Sequence, residues 1–169
     1  MDALATRMME VFKAHDIKIA TAESCTGGGI AKLMTEYEGS SFFYAGGFVA
    51  YSVELKNKLL GIPLDFIEEH GVVSEEVAMA MAKGALEKTG ADYAVATTGI
   101  AGPGGATRKH PVGVVFISVY NGKEYRNHKV DLSDNGKFHA RSFIRDFATR
   151  TAVQMVIDFV EDDFSEVNK

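Results

Sequence analysis

The sequence predicts an α/β fold, namely a three-layer α/β/α sandwich around a mixed, mostly parallel sheet. Segments with apolar residues at helical spacing alternate with short apolar strands, which is typical of a sheet covered by helices on both faces. A turn at Asn121 and Gly122 joins two consecutive strands as a hairpin and places an antiparallel pair in that sheet. The length of 169 residues fits one domain, which we assign to residues 1–169.

The first half of the chain predicts four helices and two strands. Leu4, Met8 and Phe12 recur at helical spacing and indicate the first helix. Gly61 and Gly71 are the predicted ends of the two short helices. In chain order, the predicted elements are a helix over residues 2–15, a strand over 18–22, a helix over 28–37, a strand over 46–51, and helices over 53–60 and 63–70.

The second half of the chain predicts two helices and three strands. Ser74 is a favourable N-cap, and Glu75 and Glu76 follow it where the helix dipole favours negative charge. Gly90 is the predicted end of this helix. The predicted elements are a helix over residues 75–89, strands over 93–98, 112–120 and 124–132, and a final helix over 136–161, after which we expect the charged tail to fray.

Charge and composition argue against several classes of function. The formal net charge is -5 and no cluster of lysines or arginines stands out, which disfavours a nucleic-acid partner. The single cysteine excludes an internal disulfide, and the histidines show no metal-ligand spacing, so we expect no metal. The N-terminus lacks the features of a signal peptide, and the longest apolar stretch, residues 112–120, is too short to span a bilayer. We therefore expect a cytoplasmic protein without membrane contact.

The first candidate for chemistry is a strand followed by small hydroxyl residues and glycines, TAESCTGG at residues 21–28. The backbone N–H groups of such a turn suit an anion, either a phosphate or a developing oxyanion. Ser24 lies where a nucleophile would be exposed; alternatively, Ser24 and Thr26 simply cap the following helix. Cys25 is a second candidate nucleophile if the turn lowers its pKa, and otherwise a small buried thiol.

Tyr51 and Lys56 form the second candidate. They are five residues apart, whereas the tyrosine–lysine pair of short-chain dehydrogenases needs a spacing of four, and no early Gly-x-Gly-x-x-Gly fingerprint accompanies them. Ser52 and Lys56 are likewise one residue too far apart for the Ser-x-x-Lys pattern of β-lactamase-type enzymes. Taken alone, Lys56 is more typical of a solvated surface lysine.

Two further segments are candidates for binding a substrate. The motif TTGIAGPGG at residues 97–105 lets a ligand approach the main chain closely, although the same pattern also makes a tight, ligand-free turn. It is not a Walker A loop, because no Gly-Lys-Ser/Thr follows it. Arg141 and Arg145 are four residues apart near the start of the last helix, where their guanidinium groups either grip a phosphate or carboxylate or remain solvated.

These segments occur together in the order and approximate spacing of the CinA C-terminal domain family, which the chain resembles. The matching motifs are AESCTGG at 22–28, GGFVAYS at 46–52 followed by Lys56 and by LLG at 59–61, HGVVS at 70–74, TGIAGPGG at 98–105 and PVG at 111–113. The resemblance covers roughly residues 4–160, essentially the whole chain. One motif would be weak evidence, but several in the same order are specific.

The resemblance implies an enzyme that hydrolyses the carboxamide of nicotinamide mononucleotide to nicotinate mononucleotide and ammonia. It implies no metal or organic cofactor, and a homo-oligomer. Amide hydrolysis needs a nucleophile, a proton shuttle and an oxyanion site. On this resemblance Ser24 is the nucleophile, Lys56 its base if burial or positive neighbours lower its pKa, and Tyr51 a proton relay or a group that orients Lys56.

The resemblance also implies which residues bind the substrate. Main-chain N–H groups of the first glycine turn are expected to hold the oxyanion. The second glycine turn is expected to contact the nucleotide, and the two arginines its phosphate. The substrate-binding residues predicted in this way are Cys25, Thr26, Gly27, Gly28, Thr98, Gly99, Gly102, Gly104, Arg141 and Arg145.

Two positions depart from the pattern of the family. Val53 stands where the family usually has asparagine, and Ala140 stands where an aspartate usually precedes the first arginine. The first change loses a polar group near Lys56, and the second loses a carboxylate for Arg141. Two alternatives to the enzyme therefore stay open: a catalytically degenerate paralogue that binds a nucleotide or a protein, and a structural partner of a larger nucleotide-processing protein.

Overall fold

The computed structural model of the protein describes residues 2–133 and 140–167. The helices of this part are α1 (Ala3–Ala14), α2 (Gly29–Thr35), α3 (Val53–Leu60), α4 (Leu64–His70), α5 (Glu75–Thr89) and α6 (Arg141–Val167), with a 3₁₀ turn at Ser40–Phe42. Its strands are β1 (Ile19–Glu23), β2 (Tyr44–Val49), β3 (Tyr93–Gly99), β4 (Val114–Tyr120) and β5 (Tyr125–Asp131). None of these described helices has the length and apolar composition needed to cross a membrane.

The strands form one sheet in the order β2-β1-β3-β4-β5. β1 pairs in parallel with both β2 and β3, while β4 is antiparallel to β3 and to β5. All described strands except β4 therefore run in the same direction, and the predicted mixed, mostly parallel sheet is confirmed. Because β1, β2 and β3 end at one edge of the sheet, the segments that follow them meet there, which is where ligands bind in open α/β sheets.

Helices cover both faces of the sheet, so the predicted α/β/α sandwich is also confirmed. Along β3, Tyr93 and Val95 contact the layer of α1, α2 and α6, whereas Ala94 and Ala96 face the layer of α3, α4 and α5. The alanines of the second face let α5 lie close to the sheet. Both faces of the central strands are consequently buried, as their nearly continuous apolar sequence requires.

Most predicted elements lie within a few residues of their expected ends, and the predicted caps are confirmed. The N–H of Val77 donates to Ser74 Oγ at the start of α5, and Gly90 ends that helix in the left-handed region. Gly61 ends α3 in the same conformation. The predicted hairpin at residues 121–122 connects β4 with β5.

The last helix begins later than the sequence predicts. Its first helical residue is Arg141, and Ala140 precedes it outside the helix, so a start at residue 136 is not found. The other predicted helical residues before it, 136–139, lie outside the described residues.

The last helix also ends later than the sequence predicts, at Val167 instead of residue 161. The carboxylates of the tail explain the difference. Asp163 accepts a hydrogen bond of 2.6 Å from the Tyr93 hydroxyl, so it ties the last turns of the helix to the sheet. Asp162 likewise accepts one from an arginine of β5. Residues 168–169 lie outside the described residues.

We expect Gly84→Ala to destabilise the fold, because Gly84 lets α5 touch the end of α3. A Cβ at Gly84 would lie 2.3 Å from the carbonyl oxygen of Leu60. Overpacking of this kind costs about 1–3 kcal/mol, which outweighs the gain of about 1 kcal/mol in helix propensity. Urea denaturation measures the change in the free energy of unfolding. Gly104→Ala, which meets open space, is the control, and a Gly84→Ala variant as stable as this control would contradict the prediction.

Candidate functional site

The chain brings Ser24 and Lys56 into contact at the carboxyl edge of the sheet. Ser24 follows β1 directly, and its N–H donates to the Thr97 carbonyl of β3 at 3.1 Å, which fixes its backbone. Lys56 lies in the middle of α3, and its Nζ is 3.1 Å from Ser24 Oγ and 2.7 Å from the Ala50 carbonyl oxygen. Lys56 is fully buried, so the alternative of a solvated surface lysine is wrong.

Burial changes the acidity of Lys56. Loss of hydration lowers the pKa of its ammonium group to about 8, because the charged form is penalised in a dry environment. Within residues 2–133 and 140–167, no carboxylate lies within 4.0 Å of Nζ to hold the proton. A neutral amine at this position can donate to the Ala50 carbonyl and accept the hydroxyl proton of Ser24. The pair therefore has the geometry of a nucleophile and its general base.

Cys25 lies beside the pair but is a poor nucleophile. Its side chain is buried, and burial raises the pKa of the thiol to about 11, so the thiolate is scarce at neutral pH. The geometry therefore favours the reading of Cys25 as a small buried thiol. Among the described residues, no group of three or more His, Cys, Asp or Glu side chains is arranged to hold a metal ion.

The buried carboxylate of Glu23 organises the turn after β1, and sequence reasoning missed it. Glu23 caps α2 in place of Ser24 and Thr26, the two residues considered for that role. It accepts hydrogen bonds of 2.7–3.0 Å from the Thr26 hydroxyl and from the N–H groups of Gly28, Ile30 and Ala31. Capping motifs place the acceptor next to the helix, whereas Glu23 reaches it from the end of a strand, so no pattern indicated it. The one available signal is a charged residue that ends an otherwise uncharged, fully buried strand.

The N–H groups of the turn are less available to an anion than the sequence suggests. The N–H of Gly27 donates to the Ser24 carbonyl at 3.0 Å, and that of Gly28 donates to Glu23. The N–H groups of Cys25 and Thr26 are therefore the candidates left in this turn for an oxyanion. Gly27 itself is favoured by its left-handed backbone, with φ at 60°, and a Cβ there would also displace Nη2 of Arg145, which would lie 2.9 Å away.

Tyr51 stands at the rim of this site. Its side chain is 58% exposed, and its hydroxyl accepts a hydrogen bond of 3.0 Å from Nη2 of Arg141. In the described part of the chain its hydroxyl bonds neither Ser24 nor Lys56. Tyr51 therefore lies near the pair without a direct path for a proton to either member.

The two arginines of α6 hold different turns. Nη1 of Arg141 donates to the Gly102 carbonyl at 2.7 Å, in the second glycine turn. Nη2 of Arg145 donates to the Thr26 carbonyl at 2.8 Å, in the first turn. Arg145 also lines a cavity between α2 and α6, together with Lys32. Both arginines project from one end of α6, and their guanidinium groups each donate to a separate main-chain carbonyl, which leaves further N–H groups of each unused.

The second glycine turn contributes less side-chain chemistry than the first. The Thr98 hydroxyl donates to the Val72 carbonyl at 2.8 Å, so it holds the segment before α5. Gly99 is required by space, since a Cβ there would lie 2.6 Å from the Val114 carbonyl oxygen. Gly104 is exposed and a Cβ there meets no atom within 4 Å, so it leaves the main chain accessible to a ligand.

Known proteins are similar to this chain over most of its length. The sequence model of the CinA C-terminal domain matches residues 1–160. A CinA-like protein of Mycobacterium marinum is 47% identical over 156 residues, which are 92% of this chain and 35% of that protein. A CinA-like protein of Chloroherpeton thalassium is 56% identical over 110 residues, 65% of this chain and 26% of that protein. The chain thus spans about a quarter to a third of the length of these relatives.

Solved structures agree with these sequence matches. The competence/damage inducible protein CihA from Agrobacterium tumefaciens superposes with a TM-score of 0.85 at 39% identity, covering 92% of each chain. A CinA superfamily protein from Klebsiella pneumoniae superposes with a TM-score of 0.87 at 28% identity, covering 94% of this chain and 96% of that one. By sequence and by structure, the chain belongs to the CinA C-terminal domain family.

Proposed function

We propose that the chain hydrolyses the carboxamide of nicotinamide mononucleotide to nicotinate mononucleotide and ammonia, a step in the recycling of pyridine nucleotides. The observation that carries the proposal is the fully buried Lys56, whose Nζ lies 3.1 Å from Ser24 Oγ and has no carboxylate partner among the described residues. A buried lysine of this kind is costly to keep as a mere structural element, but it suits a general base. The family membership supports the substrate through the resemblance described above.

The reaction follows from these two groups. The neutral amine of Lys56 takes the hydroxyl proton of Ser24 while Ser24 Oγ attacks the carboxamide carbon. The N–H groups of Cys25 and Thr26 stabilise the tetrahedral oxyanion. The ammonium of Lys56 then returns the proton to the departing nitrogen, and ammonia leaves. In the second half, Lys56 removes a proton from water, which attacks the acyl-serine ester and releases the carboxylate and the Ser24 hydroxyl.

The surroundings of the pair are proposed to bind the nucleotide. Gly104 and its neighbours in the second glycine turn contact the nucleotide through the main chain. Arg141 and Arg145 are proposed to bind its phosphate with the N–H groups that their carbonyl partners leave free, since a guanidinium carries five such donors. A cytoplasmic location and a homo-oligomer stay expectations from the sequence and the resemblance.

The departures at Val53 and Ala140 bear on the alternative of a binding module without turnover. Ala140 removes a carboxylate, but Arg141 is held by Gly102 and Tyr51 without one. Val53 is half-buried and packs on the apolar cluster beside α5, so it contributes to the placement of α3. The Ser24–Lys56 contact survives both changes, which favours the enzyme over the binding module.

We expect the purified protein to release ammonia from nicotinamide mononucleotide and Ser24→Ala to lose this activity at least about 1,000-fold, as loss of a catalytic nucleophile does. Cys25→Ala is the matched control, because it removes the neighbouring side chain and should keep most of the rate. An enzymatic ammonia assay measures all three proteins. Equal loss in Cys25→Ala would transfer the nucleophile role to the thiol, and nucleotide binding without ammonia would support the binding module.

We expect kcat/KM to rise with pH as Lys56 loses its proton. Because the pKa of Lys56 is lowered to about 8, the neutral base increases with pH below that value and saturates above it. Between pH 6 and pH 7 the rate should therefore rise about tenfold. Lys56→Arg, which stays charged, should be inactive throughout. Lys56→Met fills the same space without a charge and should be folded yet inactive; a flat pH profile in the unaltered protein would exclude Lys56 as the base.

We expect Arg141→Gln and Arg145→Gln to weaken binding of the nucleotide more than binding of nicotinamide riboside, which lacks the phosphate. Loss of one hydrogen bond to a charged group should raise KM for the nucleotide by about 10- to 100-fold. The riboside supplies the control within each variant. If the kinetic constants for both substrates change by the same factor, the arginines only hold the two turns and do not bind phosphate.

A further inference from the structure

We propose that the ring of Tyr51 is a fixed platform on which the positively charged pyridinium ring of the substrate stacks. Tyr51 would then select quaternised nicotinamides over neutral carboxamides of the same shape. The inference rests on the proposed function, because it assigns the reacting ring of that substrate to a place in the site.

The exposure of Tyr51 is the first observation behind this proposal. Tyr51 is 58% exposed, although Ala50 before it and Lys56, whose amine donates to the Ala50 carbonyl, are fully buried. Because the Ala50 carbonyl accepts this hydrogen bond, the backbone of Tyr51 directly follows a residue of the reaction site. An exposed aromatic residue at the rim of a site offers a flat apolar surface that a planar ligand can cover.

The second observation is that the far end of the ring is anchored. Arg141 donates to the Tyr51 hydroxyl at 3.0 Å and to the Gly102 carbonyl at 2.7 Å. The hydroxyl end of the ring is therefore tied through Arg141 to the second glycine turn, while its backbone follows Ala50, whose carbonyl binds Lys56. A side chain held in this way loses little conformational freedom when a ligand stacks on it, so more of the contact appears as affinity.

The anchor also separates this role from proton transfer. The hydroxyl of Tyr51 is bonded to Arg141, and among the described residues it bonds neither Ser24 nor Lys56. The hydroxyl accepts from Arg141 and keeps its own proton, but a relay would still need that hydroxyl to reach Ser24 or Lys56, directly or through a water. What Tyr51 offers the site without any movement is its aromatic face.

The chemistry of the substrate fits this face. The nicotinamide of a nucleotide carries a formal positive charge on its ring nitrogen, and cations are attracted to the face of a tyrosine ring. The nearest buried amine does not oppose this charge when Lys56 is neutral, as its lowered pKa of about 8 allows. The attraction corresponds to roughly 5- to 30-fold in affinity for a desolvated contact.

A kinetic experiment compares Tyr51→Phe with Tyr51→Leu. Tyr51→Leu should raise KM for nicotinamide mononucleotide by about 5- to 30-fold, and Tyr51→Phe, which keeps the ring, should recover most of that affinity. The neutral 1,4-dihydro form of the nucleotide, used as a competitive inhibitor, should bind Tyr51→Leu as well as it binds the unaltered protein. If Tyr51→Phe lowers kcat as much as Lys56→Met does, the result would support Tyr51 as a proton relay and contradict the platform.

A second experiment reads stacking without turnover. The chain contains no tryptophan, so Tyr51→Trp in a Ser24→Ala background places a single indole at the site. Nicotinamide mononucleotide should quench its fluorescence saturably, because a pyridinium stacked on indole quenches by charge transfer. Phe42→Trp in the same background is the control, since Phe42 is 66% exposed before β2 at the opposite edge of the sheet.

The outcomes of the two experiments distinguish failure of the platform from failure of the proposed function. Saturable quenching at position 51 together with no ammonia release from the unaltered protein would keep the platform and reject the amidase. Ammonia release together with equal, linear quenching at positions 51 and 42 would keep the amidase and reject the platform. Unchanged KM in Tyr51→Leu would reject the platform as well.

Discussion

The site depends on the burial of one lysine, Lys56, that has no ionic partner within residues 2–133 and 140–167. Lys56 is held by the Ala50 carbonyl and by Ser24 Oγ, which follow the neighbouring parallel strands β2 and β1. The alternation of side chains along a strand keeps the adjacent carboxylate away, because Glu23 points towards α2 while Ser24 points towards α3. A strand register shifted by one residue would exchange these partners and pair the lysine with a carboxylate.

The sheet therefore separates two charges that would otherwise neutralise each other. On one face, Glu23 satisfies the N–H groups at the start of α2 and holds the turn in shape. On the other face, Lys56 has no ionic partner in the described residues, and burial lowers its pKa to about 8. The carboxylate stabilises the turn, and the lysine supplies the reactivity. Two consecutive residues connect these roles, since Glu23 is the last residue of β1 and Ser24 follows it.

Local patterns predicted the elements of the fold, whereas the site depends on contacts that local patterns do not contain. The caps at Ser74 and Gly90 and the bounds of α3 follow from neighbouring residues, so they were accessible from the sequence. The burial of Lys56 follows from how α3 packs on α5, and a lone lysine in a short helix gives no sign of it. The partners of Arg145 and Arg141 are main-chain atoms 119 and 39 residues away, which no spacing rule indicates.

Those main-chain partners have a consequence for how the family can change over time. Lys56, Arg141 and Arg145 are each anchored by a carbonyl, at residues 50, 102 and 26. A carbonyl is present whatever side chain its residue carries, so mutation at these acceptor positions leaves the anchor in place. We therefore do not expect each cation to covary with the residue that supplies its acceptor, and the constraint falls on the backbone shape of the segments that carry these carbonyls. Statistical coupling between positions would overlook the contacts that hold this site together.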